Sequence, residues 1–292
     1  MSTSMQARLW PVAILIVAMT SIQSGASLAT SLFPAIGPTG TTAMRLLIAS
    51  IILLAVLRPW RRRIHARGWG TIAIYGAALG LMNLLFYQAL NRIPLGIAVA
   101  LEFTGPLAVA LLNSRRWLDL CWVAMAISGL IFLLLIGGEN GLDVDPVGAA
   151  YALGAGVCWA LYILFGQKAG TDHGTQTAAL GITIAALIFF PIGLAEVGTA
   201  MFSPAILPLA LGVAVLSTAL PYTLEMIAMP KLATHTFGTL MSLEPAVAAL
   251  SGLVFLGQSL TLIQWLAISM VIAASIGTTL TGQKPVPTVA AG

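Results

Sequence analysis

The sequence predicts an all-α membrane protein of ten transmembrane helices, arranged as two inverted five-helix repeats. Three observations carry that prediction. Apolar residues make up 59% of the 292 residues and charged residues 8%, whereas a soluble domain carries about 25% charged residues. Such a chain cannot cover its own surface against water. Its apolar residues fall in runs of roughly 20, the length at which a helix crosses a hydrocarbon core. The second half also repeats features of the first.

In chain order, spans are expected at roughly 11–33, 38–57, 70–90, 93–112, 117–136, 146–166, 176–194, 206–228, 232–255 and 260–280. The first follows a single basic residue, Arg8. It is too long for the core of a signal peptide, although Ala26-Ser27-Leu28-Ala29 offers small residues. The second carries Arg45, and the basic run Arg58–Arg67 follows it. The third holds Gly76-Ala77-Ala78-Leu79-Gly80, a spacing that lets helices approach closely. The fourth, Ile93–Leu112, contains Leu101-Glu102-Phe103-Thr104-Gly105-Pro106, which places a carboxylate near mid-membrane. A charge there costs several kcal/mol, so it must face a partner or water. The sixth carries Trp159 and Tyr162, about a turn apart. The eighth ends near Glu225 and Lys231, and the ninth opens at His235 and contains Leu240-Met241-Ser242-Leu243-Glu244-Pro245. The two cysteines, Cys121 and Cys158, lie in apolar runs and read as small buried hydrophobes.

Charge asymmetry sets an expected orientation. With the N-terminus in the cytoplasm, the inner segments hold Arg8, Arg58, Arg61, Arg62, Arg63, Arg67, Arg115, Arg116, Lys168, Lys231 and Lys284. The outer segments hold only Arg92, and Arg45 lies within the membrane. Eleven basic residues against one match the positive-inside rule, with both termini cytoplasmic. The net charge of +4 is too dispersed for a nucleic-acid partner, and the Arg58–Arg67 run reads as an anchor on the membrane surface.

An odd number of spans in each half forces related halves into opposite orientations. A shift of 139 residues superimposes Ala89 on Ala228, Arg92 on Lys231, Leu101 on Leu240, Pro106 on Pro245 and Ala110-Leu111 on Ala249-Leu250. Trp122-Val123-Ala124 matches Trp265-Leu266-Ala267 at a shift of 143. The expected domains are therefore residues 1–137 and 138–282, with 283–292 as a flexible cytoplasmic tail containing Pro285 and Pro287. Inverted repeats are how many secondary transporters reach two related conformations around a midplane site.

Several runs then carry a resemblance: Pro94 to Pro106; Phe237 to Pro245; Ser217-Thr218-Ala219-Leu220-Pro221-Tyr222 with Leu224 to Ala228; and Ser21-Ile22-Gln23 with Gly25 to Ala29. They resemble the drug/metabolite transporter superfamily of the EamA type, and within it the branch that exports threonine and homoserine. The similarity covers nearly the whole chain outside the basic loop and the tail. One position departs from it: after Gly257 the family usually carries a glutamate, and here Gln258 cannot titrate. The resemblance implies a ten-helix fold and export of small hydrophilic amino acids across a bacterial inner membrane. Relatives of the same architecture move aromatic amino acids, other metabolites and drugs, so the substrate is not chosen by fold kinship.

A zwitterionic substrate needs an anion for its ammonium and donors for its carboxylate. The candidate substrate-binding or coupling residues are Glu102, Glu244, Arg45, Gln23, Asn83, Thr104, Trp159 and Tyr162, with Ser21 and Ser24 as further hydroxyls. Gly105, Pro106 and Pro245 are the helix-break positions, where missing backbone bonds would expose polar groups. Arg45 lies on the order of 4 Å outside the midplane by helical rise, so pairing with Glu102 and a substrate role both stay open. Glu244 has no second membrane arginine and is favoured as the proton carrier. Glu225 reads as an ion-pair partner of Lys231, and His235 as an interfacial residue facing water. The aromatics either wall a cavity or simply pack.

Without a GxxxxGK[ST] loop the chain has no nucleotide to drive it, which points to alternating access with proton antiport. There is no HExxH, no GxSxG and no clustered cysteine, and His65, His173 and His235 are scattered. An enzyme, a metal site or a bound cofactor is therefore not expected. The alternative is a broad exporter of drugs, metabolites or aromatic amino acids, whose cavity should be lined with aromatics and methionine. Oligomeric state has no signal in the sequence.

Overall fold

The computed structural model describes residues 3–61, 68–112, 117–132, 144–173, 176–221, 224, 228 and 240–281. Among them every regular element is helical, as a chain without water to satisfy its backbone requires. The helices are α1 (Thr3–Thr30), α2 (Phe33–Leu57), α3 (Gly68–Leu90), α4 (Leu95–Glu102), α5 (Thr104–Leu112), α6 (Trp117–Ile131), α7 (Pro146–His173), α8 (Gln176–Val197), α9 (Ile206–Ala214), α10 (Glu244–Leu256) and α11 (Leu262–Thr281). A π-helical turn, Val215–Ala219, continues α9, and a 3-10 turn, Gly198–Phe202, extends α8.

Six stretches are long and apolar enough to cross a membrane: Trp10–Thr30, Phe33–Leu57, Gly68–Leu90, Pro146–Gly166, Gln176–Phe202 and Leu262–Leu280. Four shorter apolar stretches accompany them: Leu95–Val109, Cys121–Ile131, Ile206–Ala219 and Glu244–Leu256. Outward-facing apolar side chains such as Leu187, Val254 and Leu262 are 70%, 72% and 76% exposed, a surface suited to lipid and not to water. The positions expected for Glu225, Lys231, His235, Arg115, Arg116, the basic run from 62 to 67 and the tail 283–292 lie outside the described residues.

The expected span 93–112 is broken. Pro106 has no N–H to bond the carbonyl four residues back, which is that of Glu102. The helix accordingly ends at Glu102, turns at Phe103 and restarts at Thr104. Pro245 acts in the same way on Met241, and a turn at Ser242-Leu243 precedes α10. Both interruptions thus fall a few residues N-terminal to the proline. A third distortion sits in α2, where Gly37 adopts φ 64° and ψ 172° before Pro38. Glycine alone takes that conformation without strain.

Packing is made from small residues. Helix α2 lies on α8, α3 on α7 and α8, α4 on α7 and α10, α5 on α7, α1 on α9 and α10, and α6 on α11. The close contact read from Gly76 and Gly80 is present. A Cβ on Gly76 would stand 2.7 Å from the Gly181 carbonyl oxygen, and one on Gly80 would overlap the Phe189 ring. Every residue of α4 is buried, and at Gly96 it meets Ala249 of α10 so closely that an added Cβ would fall 2.6 Å from the Ala249 Cβ. Close backbone approach of this kind is what holds helices together where lipid removes the hydrophobic drive. The two helix breaks are thereby locked into the centre of the bundle.

Candidate functional site

Glu102 is the last residue of α4 and Glu244 the first of α10, so the two helix breaks bring one carboxylate each to the α4–α10 contact. Both are buried, 6% and 5% exposed, and near enough for their charges to interact, with Arg45 also in range. Gln23 of α1, 2% exposed, donates from Nε2 to Glu244 Oε1 at 3.1 Å. Its own Oε1 is buried and has no hydrogen-bond partner. Among the described residues, Arg45, Glu102 and Glu244 are the buried charged side chains. Among these residues one fixed positive charge therefore stands against two carboxyl groups.

Arg45 does not ion-pair with Glu102, one of the two roles the sequence left open. Its Nε donates to Thr218 Oγ1 at 3.1 Å, its NH1 to Tyr87 Oη at 3.1 Å and its NH2 to the Ser217 carbonyl at 3.0 Å. The guanidinium also lies 5.3 Å from the Tyr87 ring centroid, a cation–π distance. The reason is the π turn. Widening a helix to π geometry frees carbonyls from their regular partners, and side chains of the first half capture them: Ser21 Oγ donates to the Leu216 carbonyl at 2.7 Å. Gly25 makes room, since a Cβ there would stand 2.7 Å from the Ser217 nitrogen.

The other candidates divide. Trp159 meets the Phe103 ring edge-on at 5.5 Å and so stands beside the α4 break. Tyr162 instead stacks on Tyr75 at 4.9 Å, where Gly166 and Gly181 leave space for the Tyr75 ring; this is packing. Asn83 Nδ2 donates to its own helix at Leu79, 2.7 Å, and Thr104 Oγ1 to Leu101 at 2.7 Å. Ser24 likewise bonds back to Thr20. Gly105 does bring backbone close, but the backbone it meets is Gly156 of α7, whose carbonyl a Cβ at 105 would overlap. Gln258 serves the structure instead, because its Oε1 accepts the Leu95 N–H at 2.9 Å and so caps the start of α4 behind Pro94.

Sequence reasoning missed Tyr87, Thr218 and Gly156 as parts of the site. A membrane arginine calls for acceptors, which was a signal that some existed, but nothing in the pattern chose among the tyrosines and hydroxyls on offer. Away from the core, Arg92 pairs with Asp145 at 3.0 Å, joining the α3–α4 turn to the start of α7. That guanidinium, with the Val147 N–H, holds the Asp145 carboxyl below its ordinary range. The open groove between α6 and α11, about 490 Å³ and lined by Met125, Phe132, Leu266 and Met270, is apolar and contains none of the candidate residues.

Residues 146–280 match the family model of the EamA-like transporter family. Over 274 residues the chain is 57% identical to the threonine/homoserine exporter RhtA of Escherichia coli, covering 94% of this chain and 92% of that protein. It is 58% identical over 271 residues to the protein of the same name in Salmonella typhimurium, covering 93% and 92%. A crystal structure of a protein 20% identical in sequence shares the fold, with a TM-score of 0.58 over 92% of this chain and 98% of its own.

Proposed function

The chain belongs to the EamA-like transporter family, and on that premise we propose that it exports small hydrophilic amino acids, threonine and homoserine among them, by alternating access. The observation that carries the proposal is similarity to threonine/homoserine exporters at 57% identity along almost the full length of both chains. The centre of the bundle is compatible with it. Two broken helices present carboxyl groups and an amide in a buried place, which suits a zwitterion better than an apolar drug.

The architecture we infer is ten spans in two inverted repeats, residues 1–137 and 138–282, with α4 and α5 together as the fourth span and α10 within the ninth. Exchange of the halves pairs α1 with α7, α2 with α8, α3 with α9, α4–α5 with α10, and α6 with α11. Under that exchange the α3–α7 contact maps onto α1–α9, α3–α8 onto α2–α9, and α5–α7 onto α1–α10. The contacts α2–α8, α4–α10 and α6–α11 map onto themselves. This supports a two-fold relation between the halves, and the family-model match over 146–280 coincides with the second. The positive-inside rule supports cytoplasmic termini in a bacterial inner membrane.

For the energy source we infer proton antiport. The sequence favours Glu244 as the proton carrier on the premise that Arg45 neutralises Glu102. Arg45 directs its bonds at Tyr87, Ser217 and Thr218 instead, so Glu102 becomes the better carrier. The helix dipole favours the same choice. Glu244 opens α10, where an N-terminal helix end stabilises its charge, whereas Glu102 closes α4, where the C-terminal end opposes it.

The test is efflux of labelled threonine and homoserine from proteoliposomes, with and without an imposed proton gradient, beside labelled phenylalanine and a hydrophobic cation. Efflux of the hydrophilic amino acids, accelerated by the gradient in the wild type and not in Glu102→Gln, is expected. Transport confined to phenylalanine or the cation would replace this reading with the aromatic amino-acid or drug exporter. Efflux indifferent to the gradient would leave facilitated diffusion.

A further inference from the structure

The Gln23 amide is an unexplained group in the core. It is 2% exposed, its Nε2 is committed to Glu244, and its Oε1 is a buried acceptor without a donor. A buried amide oxygen without a donor carries the full cost of its desolvation, so such a group in a native protein calls for an explanation. Glu102 is buried nearby. Among the described residues no side-chain or backbone donor bonds its carboxyl group, and its charge is within range of those of Glu244 and Arg45. The Arg45 fork, which could have served it, is turned to the π turn and Tyr87.

We infer that Gln23 Oε1 and the carboxylates of Glu102 and Glu244 form the subsite for the α-ammonium group of the transported amino acid. The inference rests on the exporter reading and refines it. It assigns the ammonium to α1, α4 and α10, on the side of the bundle where acceptors outnumber donors. A primary ammonium carries three N–H donors and no acceptor, which complements this set. Among the described residues the one buried cation, Arg45, directs its donors elsewhere, so it does not supply them to Gln23 Oε1. A divalent metal is a poorer fit, because no group of three His, Cys, Asp or Glu side chains gathers there among the described residues. The substrate carboxylate is excluded from the subsite by repulsion from the same two glutamates. Phe103, the turn residue after Glu102, packs on Trp159, so an aromatic pair adjoins the subsite.

Binding and transport are tested separately. Melting of the detergent-solubilised wild type is followed with L-threoninol, which keeps the ammonium and hydroxyl but lacks the carboxylate, and with N-acetyl-L-threonine, which lacks the ammonium. Sodium chloride against choline chloride tests a bare cation. A ligand that binds only the folded state raises the melting temperature with concentration. Threoninol should do so and N-acetylthreonine should not. Glu102→Gln and Gln23→Met should each weaken threoninol binding at least tenfold. Equal stabilisation by both probes, stabilisation by sodium without threoninol, or undiminished threoninol binding in both variants would overturn the assignment. Should a variant fail to fold, the wild-type comparison of the two probes still decides. Counterflow of labelled threonine in vesicles separates the two claims. Threoninol binding through Glu102 without threonine exchange keeps the subsite and sinks the exporter reading. Threonine exchange with equal binding of both probes does the reverse.

Discussion

Replacing Arg45 with methionine should be among the most destabilising single changes in the core. The substitution keeps an unbranched apolar stem and removes the guanidinium, withdrawing donors from Thr218 Oγ1, Tyr87 Oη and the Ser217 carbonyl. Hydrogen bonds to a charged group contribute about 1.5–3 kcal/mol each in water-soluble proteins. Between membrane helices measured values average about 0.6 kcal/mol, so three bonds give at least about 2 kcal/mol. Glu102 also loses the nearby positive charge of Arg45, and breaking a buried charge arrangement by deleting one member costs about 3–5 kcal/mol. The expected loss is therefore about 3–5 kcal/mol, read from reversible unfolding in mixed micelles titrated with dodecyl sulfate. A double-mutant cycle isolates the link between the halves. Thr218→Val should cost about 1 kcal/mol in the wild type and almost nothing once Arg45 is methionine. A loss below about 1 kcal/mol for Arg45→Met, or the same Thr218→Val cost in both backgrounds, would refute the claim that this arginine ties α2 to the π turn.

Three further outcomes follow from packing and charge. Gly156→Ala places a Cβ 2.7 Å from the Glu102 carbonyl oxygen and 3.2 Å from Thr104 Oγ1, so α5 and α7 must part at the α4 break; about 1–3 kcal/mol of stability should be lost together with transport rate. Gln258→Leu leaves the Leu95 N–H without its acceptor and should cost about 1 kcal/mol in the same unfolding assay, whereas Gln258→Glu, which keeps an oxygen there, should not. For Asp145 the folded carboxyl titrates below its ordinary value because Arg92 holds it. Its stabilising contribution is therefore present above the ordinary aspartate value of about 3.9 and lost as pH falls through the lowered folded value. The melting difference between the wild type and Asp145→Asn should stay constant from neutral pH down to that range and vanish below it.

The parts of the fold readable in the sequence were those set by composition. Long apolar runs marked α1, α2, α3, α7, α8 and α11, and Pro106 and Pro245 marked the two interruptions, since a missing N–H acts locally. Gln23, Glu102 and Glu244 stood out for a related reason: a polar group at mid-membrane depth carries a cost whatever its neighbours. Partner choice was not readable. Whether Arg45 meets Glu102 or the π turn depends on how α2 and α9 are rotated against each other, and no residue in Val215–Ala219 announces π geometry. Gly105 showed that backbone comes close without saying that Gly156 is the backbone. Tyr162 and Trp159 are a turn apart on one helix, yet one stacks on Tyr75 and the other borders the break at Phe103.

The two carboxyl groups are not copies of one another, although the prolines beside them correspond. Glu102 precedes Pro106 by four residues and Glu244 precedes Pro245 by one, so the shift of 139 aligns Glu102 with Met241 and Glu244 with Gly105. The breaks nevertheless correspond, Phe103 with Ser242, which leaves one carboxyl on the C-terminal side of a helix half and the other on the N-terminal side. Opposite helix ends give them opposite surroundings, and Gln23 donates to Glu244 while offering only an acceptor beyond it. On the proton-antiport reading proposed above, the asymmetry assigns them different roles. Glu244 would keep its charge with help from α10 and Gln23, whereas Glu102, whose carboxyl no donor bonds among the described residues, would draw a positive charge from outside the protein. A proton and a substrate ammonium are the two candidates, and they draw on the same oxygens. Occupancy by one then excludes the other, which is the condition an exchanger needs and which two symmetric glutamates would not impose.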